Sequence, residues 1–148
     1  MWPECDRQSR VISDDDNRII GGQESQSGKW PFLIKFNIGC GGSIINNNWV
    51  ITAAHCCKSS NSFEIMQKNL AANICKLKLK DCTRNILPES VHIHPKYDVQ
   101  NDYDYDFCLV EYPEDSFKDE AKICISTTNL DVGEWCFIAG WGVITKGF

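Results

Sequence analysis

Apolar and polar positions alternate along much of this chain, in short runs separated by glycine, asparagine and proline. Phe32, Ile34 and Phe36 interleave with Leu33, Lys35 and Asn37, a period-two stripe that predicts a strand, and Gly39 and Gly41-Gly42 punctuate its end. Trp49-Val50-Ile51-Thr52 is aromatic and β-branched and suits a half-buried pleated surface. Asn46-Asn47-Asn48 before it is a turn by its chemistry, because asparagine tolerates left-handed backbone and bonds its own main chain. Phe63-Glu64-Ile65-Met66 reads as a further strand. The run from Cys75 to Cys82 alternates lysine and leucine, predicting one strand with a wet and a dry face. Its lysines then form a solvated face or a charged edge that deters aggregation. Val91-His92-Ile93-His94 predicts a strand with both histidines on one face. Three alternating aspartates, Asp102, Asp104 and Asp106, lead into the apolar strand Phe107 to Val110. Residues 112–132, with Pro113 and a run of charges before Ile123-Cys124-Ile125, read as a surface crossover. Residues 1–18 are polar and show no core-forming periodicity.

Composition narrows the class. The chain has 148 residues, enough for one ordinary core, and 43% hydrophobic against 24% charged residues describes a folded chain and not a disordered one. A net charge of -5 argues against a nucleic-acid partner, since such binding leans on Lys and Arg neutralising phosphates. No apolar run approaches the roughly 20 residues a bilayer-spanning helix needs, so no membrane partner is expected. Nine cysteines point to an oxidising compartment, hence secretion, and to a disulfide framework. Their odd number leaves at least one thiol without a partner within this chain. The N-terminus lacks the apolar stretch of a signal peptide, so the native start is expected to lie elsewhere.

Candidate chemistry concentrates at Trp49 to Cys56. The strand ends in Ala53-Ala54-His55-Cys56, where small alanines leave room beside an imidazole and a cysteine can tie the segment back. Histidine is the side chain most easily poised for proton transfer near neutral pH. Taken alone, a strand-end histidine satisfied by a backbone carbonyl would be the safer reading. His92 and His94 raise zinc, but no C-x-x-C or H-x3-H spacing accompanies them. The alternating aspartates raise calcium, which would want more oxygen ligands and a glycine turn. No metal is expected.

The run from Cys40-Gly41-Gly42-Ser43-Ile44-Ile45 to His55-Cys56 resembles the strand–turn–strand around the catalytic histidine of trypsin-like serine proteases, the chymotrypsin-fold family. Five further segments carry the same likeness: Arg18-Ile19-Ile20-Gly21-Gly22, Trp30-Pro31-Phe32, His94-Pro95-Lys96-Tyr97, Asp106-Phe107-Cys108-Leu109-Val110 and Gly133 to Gly142. The resemblance implies an all-β fold: a six-stranded antiparallel Greek-key barrel plus the start of a second barrel. Residues 1–18 would be an activation peptide, 19–120 the first barrel carrying His and Asp of the triad, and 121–148 a crossover with the first strand of an incomplete second barrel. Cleavage after Arg18 by an activating protease would free the α-ammonium of Ile19. His55 and Asp106 would be catalytic; Asp106 is preferred to Asp104 because it alone directly precedes the apolar run.

The same resemblance implies a Cys40–Cys56 bridge, a Cys5–Cys124 bridge holding the pro-segment, and a partner for Cys136 outside this chain. Cys57, vicinal to Cys56, departs from the common pattern. Cys108 reads as either an inert core thiol or a disulfide partner, and a Cys75–Cys82 hairpin bridge is one option among the remaining pairings. The family's Gly-Asp-Ser-Gly-Gly is absent from the 148 residues, and Gly41-Gly42-Ser43 is no substitute because it lacks the preceding aspartate. The implied function is a secreted serine endopeptidase acting on protein or peptide substrates without a cofactor, with this polypeptide inactive alone. The alternative is a non-catalytic homologue that binds or regulates partners through the same scaffold.

Overall fold

The structure, a computed structural model, describes residues 25–75, 82–98, 100–101, 103–129 and 131–141. It is built on one antiparallel sheet of seven strands: β1 Leu33–Phe36, β2 Gly41–Ile44, β3 Trp49–Thr52, β4 Ala72–Cys75, β5 Cys82–Ile86, β6 Ser90–Ile93 and β7 Cys108–Glu111. The strand order is β5-β4-β1-β2-β3-β7-β6. Only Leu87, Pro88 and Glu89 separate β5 from β6, which lie at opposite ends of that order. Four residue steps reach about 14 Å, whereas six flat interstrand spacings of about 4.8 Å would put the edges about 29 Å apart. The sheet must therefore curl until its edges approach, giving a half-barrel. Gln67 helps hold the joint, its Nε2 donating to the Pro88 carbonyl at 2.8 Å.

Period-two patterning fills the inside of the curl. Ile34 and Phe36 from β1, Ile44 from β2, Val50 from β3 and Val110 from β7 are all buried in one cluster. Tyr112 and Phe117 close it, their rings edge-on at 5.1 Å. The residues after β7 are therefore not the simple surface crossover expected for 112–132, since two aromatic side chains there return to the core. Tyr112 hydroxyl donates to the Leu70 carbonyl at 2.7 Å, and burial pushes its pKa far above the ordinary value. A Tyr112→Phe variant should lose about 1–3 kcal/mol, because the Leu70 carbonyl is left buried without a donor; urea unfolding measures it.

Three further expectations are corrected. Phe63–Met66 is not a strand but the opening of a helix, Phe63–Asn69. Four residues of alternation cannot separate the two periods; Gln67 and Lys68 extend the run as helix formers, Lys68 pairs with Glu64 one turn back at 2.9 Å, and Leu70 at the C-terminal cap is fully buried. The single strand from Cys75 to Cys82 is replaced by two antiparallel arms with Cys75 opposite Cys82, the intervening lysines and leucines lying outside the described residues. Among the described residues the sheet carries seven strands, where the resemblance implies a six-stranded barrel.

No strand forms among the described residues beyond β7, including 133–141. Val132, Trp135 and Ile138 there are strongly exposed. A strand needs a pairing edge, and these residues have none within the described chain. Arg18, Ile19 and Cys5 lie outside the described residues.

Candidate active site

His55 sits on a single helical turn, α1, Ala54–Cys57, immediately after β3; the longer helix, Phe63–Asn69, is α2. Asp106 lies two residues before β7. Because β3 and β7 pair antiparallel with Thr52 opposite Cys108, the end of one strand meets the start of the other, and both residues emerge at one rim. The His55 Nδ1 lies 2.7 Å from Asp106 Oδ2. An ionised carboxylate can only accept, so Nδ1 carries the proton and Nε2 is left as the ring's acceptor. The backbone N–H of His55 donates to the other oxygen, Oδ1, at 2.8 Å.

That second bond has a structural origin. A helix leaves its first amides without intrahelical partners, and the N-cap residue, Ala53, has no side chain to serve them. Asp106 does so from across the sheet, so one carboxylate caps the turn and orients the ring it carries. Burial raises the Asp106 pKa, but hydrogen bonds from the His55 ring and from the His55 and Ala54 backbone, with the His55 charge, outweigh it and hold the carboxyl below its ordinary value. The side chains are 50% and 25% exposed respectively, so the ring is open to a reactant while its partner is mostly covered.

The surroundings are held tightly. Thr52 Oγ1 donates to the Gly41 carbonyl at 2.8 Å, and a disulfide joins Cys40 to Cys56. A second disulfide joins Cys57 to Cys108 and a third joins Cys75 to Cys82. Cys136 is an exposed free thiol; Cys5 lies outside the described residues, and so does the bridge to Cys124 expected of it. Tyr103 presents its ring edge-on to His55 at 6.0 Å, placed there by a left-handed backbone at φ 61° that a non-glycine residue adopts at a cost. His94 Nδ1 accepts from the Lys96 amide at 3.2 Å and its ring stacks on Tyr105 at 4.8 Å. His92 contacts Ser90 Oγ and Trp49.

The His55 ring and the sulfurs of Cys40 and Cys56 lie within 4.8 Å of one another. Those sulfurs are joined in a disulfide, and zinc binds thiolates, so the group does not fit a metal. A cleft of about 450 Å³ opens beside the site between Leu33, Gly41, Ile51 and Thr52 on the sheet and Ala139 and Trp141 beyond it; neither His55 nor Asp106 lines it.

Sequence reasoning left the partner of Cys57 unassigned. The signal was present: Cys57 and Cys108 stand two residues after His55 and Asp106 respectively. Tyr103 was missed because nothing in residue type announces a left-handed turn at tyrosine.

A sequence model described as Trypsin matches residues 19–147. Over 139 residues the chain is 30% identical to cationic trypsin-3 of Rattus norvegicus, covering 88% of this chain and 52% of that protein. It is 30% identical over 137 residues to trypsin of Xenopus laevis, covering 89% and 53%. Transmembrane protease serine 5 of Homo sapiens is 31% identical over 134 residues, covering 85% of this chain and 29% of that protein. The chain thus spans about half the length of the two trypsins. No helix among the described residues is long and apolar enough to cross a membrane.

Proposed function

Because this chain belongs to the trypsin family of serine proteases, we propose that His55 and Asp106 are the base and its orienting carboxylate in a serine endopeptidase that hydrolyses protein or peptide substrates. The observation that carries the reading is the pair of bonds from His55, ring and amide, to the two oxygens of Asp106. With Nδ1–H committed to the carboxylate, Nε2 is the atom that takes a proton from a serine hydroxyl. The imidazolium that results is stabilised by Asp106, and the same proton then passes to the leaving amine, forming an acyl-enzyme that water hydrolyses. None of these steps needs a cofactor.

The serine itself is not among these 148 residues in the family's Gly-Asp-Ser-Gly-Gly context. In this proposal residues 1–18 are an activation segment and an activating protease cuts after Arg18. Residues 19–120 form the first barrel, and 121–148 form the crossover and the opening of the second. The freed α-ammonium of Ile19 has an ordinary pKa of about 7.7–8.0, so it is largely charged at pH 7 and can pair with a carboxylate. Secretion accords with three disulfides among the described residues.

The test is complementation. The 148-residue chain assayed alone should show no turnover. Joined to the second-barrel half of a trypsin relative bearing the nucleophile, and cut after Arg18, it should hydrolyse peptide amides with an acyl-enzyme burst. A folded, cleaved hybrid that turns over nothing would sink the endopeptidase reading. It would favour the non-catalytic homologue, a secreted binding or regulatory protein.

A further inference from the structure

We propose that Cys57 and Cys108 are positioning residues, and that their disulfide sets the spacing of His55 and Asp106; the role rests on the dyad reading above. A four-residue turn has no stability of its own, since helix nucleation is unfavourable and short helices hold only through tertiary ties. The direction in which α1 presents His55 must therefore come from what grips it. Two of its residues are bridged, in different directions. Cys56 is tied to Cys40, just before β2. Cys57 is tied to Cys108, the first residue of β7 and two residues beyond Asp106.

Only the second bridge runs to the strand that carries the carboxylate. His55 and Cys57 differ by two helical positions, about 200° around the axis, so they face opposite ways. The ring is half exposed while the Cys57 sulfur is fully buried, as is Cys108. The pairing of Thr52 with Cys108 completes a short ring of constraints: strand to strand by backbone, turn to strand by sulfur, and turn to strand again by the carboxylate. A helix turn held on its buried side by sulfur can neither rotate the imidazole off Asp106 nor slide along β7.

The experiment reads the imidazole directly in the 148-residue chain, by ¹⁵N chemical shifts of His55 at a pH where the ring is neutral. In the wild type the Nδ1–H tautomer should dominate. In Cys57→Ala/Cys108→Val, which replaces sulfur with apolar atoms, the ratio of Nδ1–H to Nε2–H should fall at least about tenfold, the ratio that a lost hydrogen bond to a charged group carries. Dispersed Ile34 and Val110 methyl signals would show the barrel intact. Cys75→Ala/Cys82→Ala, which removes a bridge elsewhere in the sheet, should leave the ratio unchanged.

An unchanged ratio in the folded Cys57/Cys108 variant, or an equal fall in the control, overturns the proposal. Should the variant not fold, amide exchange of the wild type decides. His55 N–H, donated to Asp106, should exchange as slowly as Val110 N–H in β7. Exchange about a hundredfold faster would mean that the turn frays despite the bridge, and the proposal fails. Neither readout involves turnover, so failure of the hybrid's catalysis and failure of the clamp are separate results.

Discussion

In a hybrid completed with a nucleophile-bearing second half, His55→Ala should cut kcat by about 10⁶ and Asp106→Asn by about 10⁴. The difference in size follows from the two roles. Without the imidazole nothing receives the serine proton. Without the carboxylate charge the imidazole remains, but its tautomer is free and the developing imidazolium is unsupported. The effect belongs in kcat, because neither group binds the ground-state substrate. A change confined to KM would place His55 outside the chemistry.

Asp106 also holds structure, and the same substitution should be visible without any substrate. Its pKa is lowered in the folded chain against about 3.9 when unfolded. A depressed folded value means that the unfolded state binds the proton more readily. The stabilisation is therefore fully present above pH 4 and is lost as pH falls below that towards the folded value. Thermal melts of the wild type should weaken through this window, and Asp106→Asn should lack that part of the slope.

A branched side chain at position 42 should cost about 3 kcal/mol, the upper end of what overpacking a filled core costs. Gly42 lies on β2 opposite Ile34. A Cβ there would stand 2.6 Å from Val50 Cγ1 and 2.9 Å from Phe36 Cζ, closer than side-chain carbons approach. Phe36 and Val50 are both buried and cannot step aside without opening the cluster that unites β1, β3 and β7. With an m-value of about 2 kcal/mol/M, Gly42→Val should drop the urea midpoint by about 1.5 M. Its neighbour is the control: at Gly41 a Cβ meets nothing nearer than the Ile34 carbonyl at 3.8 Å. Gly41→Ala should change stability by less than about 0.5 kcal/mol. Equal losses at the two positions would mean that strand glycine, and not close approach, sets the cost.

The parts legible in the sequence are those where one residue's neighbours decide its fate. Ile34 and Phe36 alternate with polar or half-buried positions and do face the core, and Asp106 stands where a carboxylate directly precedes an apolar strand. Less legible were features that depend on distant partners. Phe63 to Met66 alternates over too few residues to fix a period, and burial of Leu70 beneath Tyr112 settles it as helix. Tyr112 and Phe117 looked like crossover because most of the core they join lies forty or more residues back along the chain. Cys57 and Cys108 were each visible, yet their pairing follows from the β3–β7 register, which no local pattern states. Residues 133–141 carry strand-like side chains, and a strand exists only where an edge receives it.

The β3–β7 register also orders events in time. Strands β1, β2 and β3 are neighbours in sequence and can pair as soon as they exist, and so can β4 and β5. Thr52 must wait for Cys108, across a loop whose closure entropy grows with its length and whose late contacts slow folding. During synthesis the histidine is thus made, and its hairpins formed, while the residue that will hold it has yet to leave the ribosome. Until β7 arrives, the imidazole is an unheld side chain on an unformed turn, and the nascent chain carries no organised dyad.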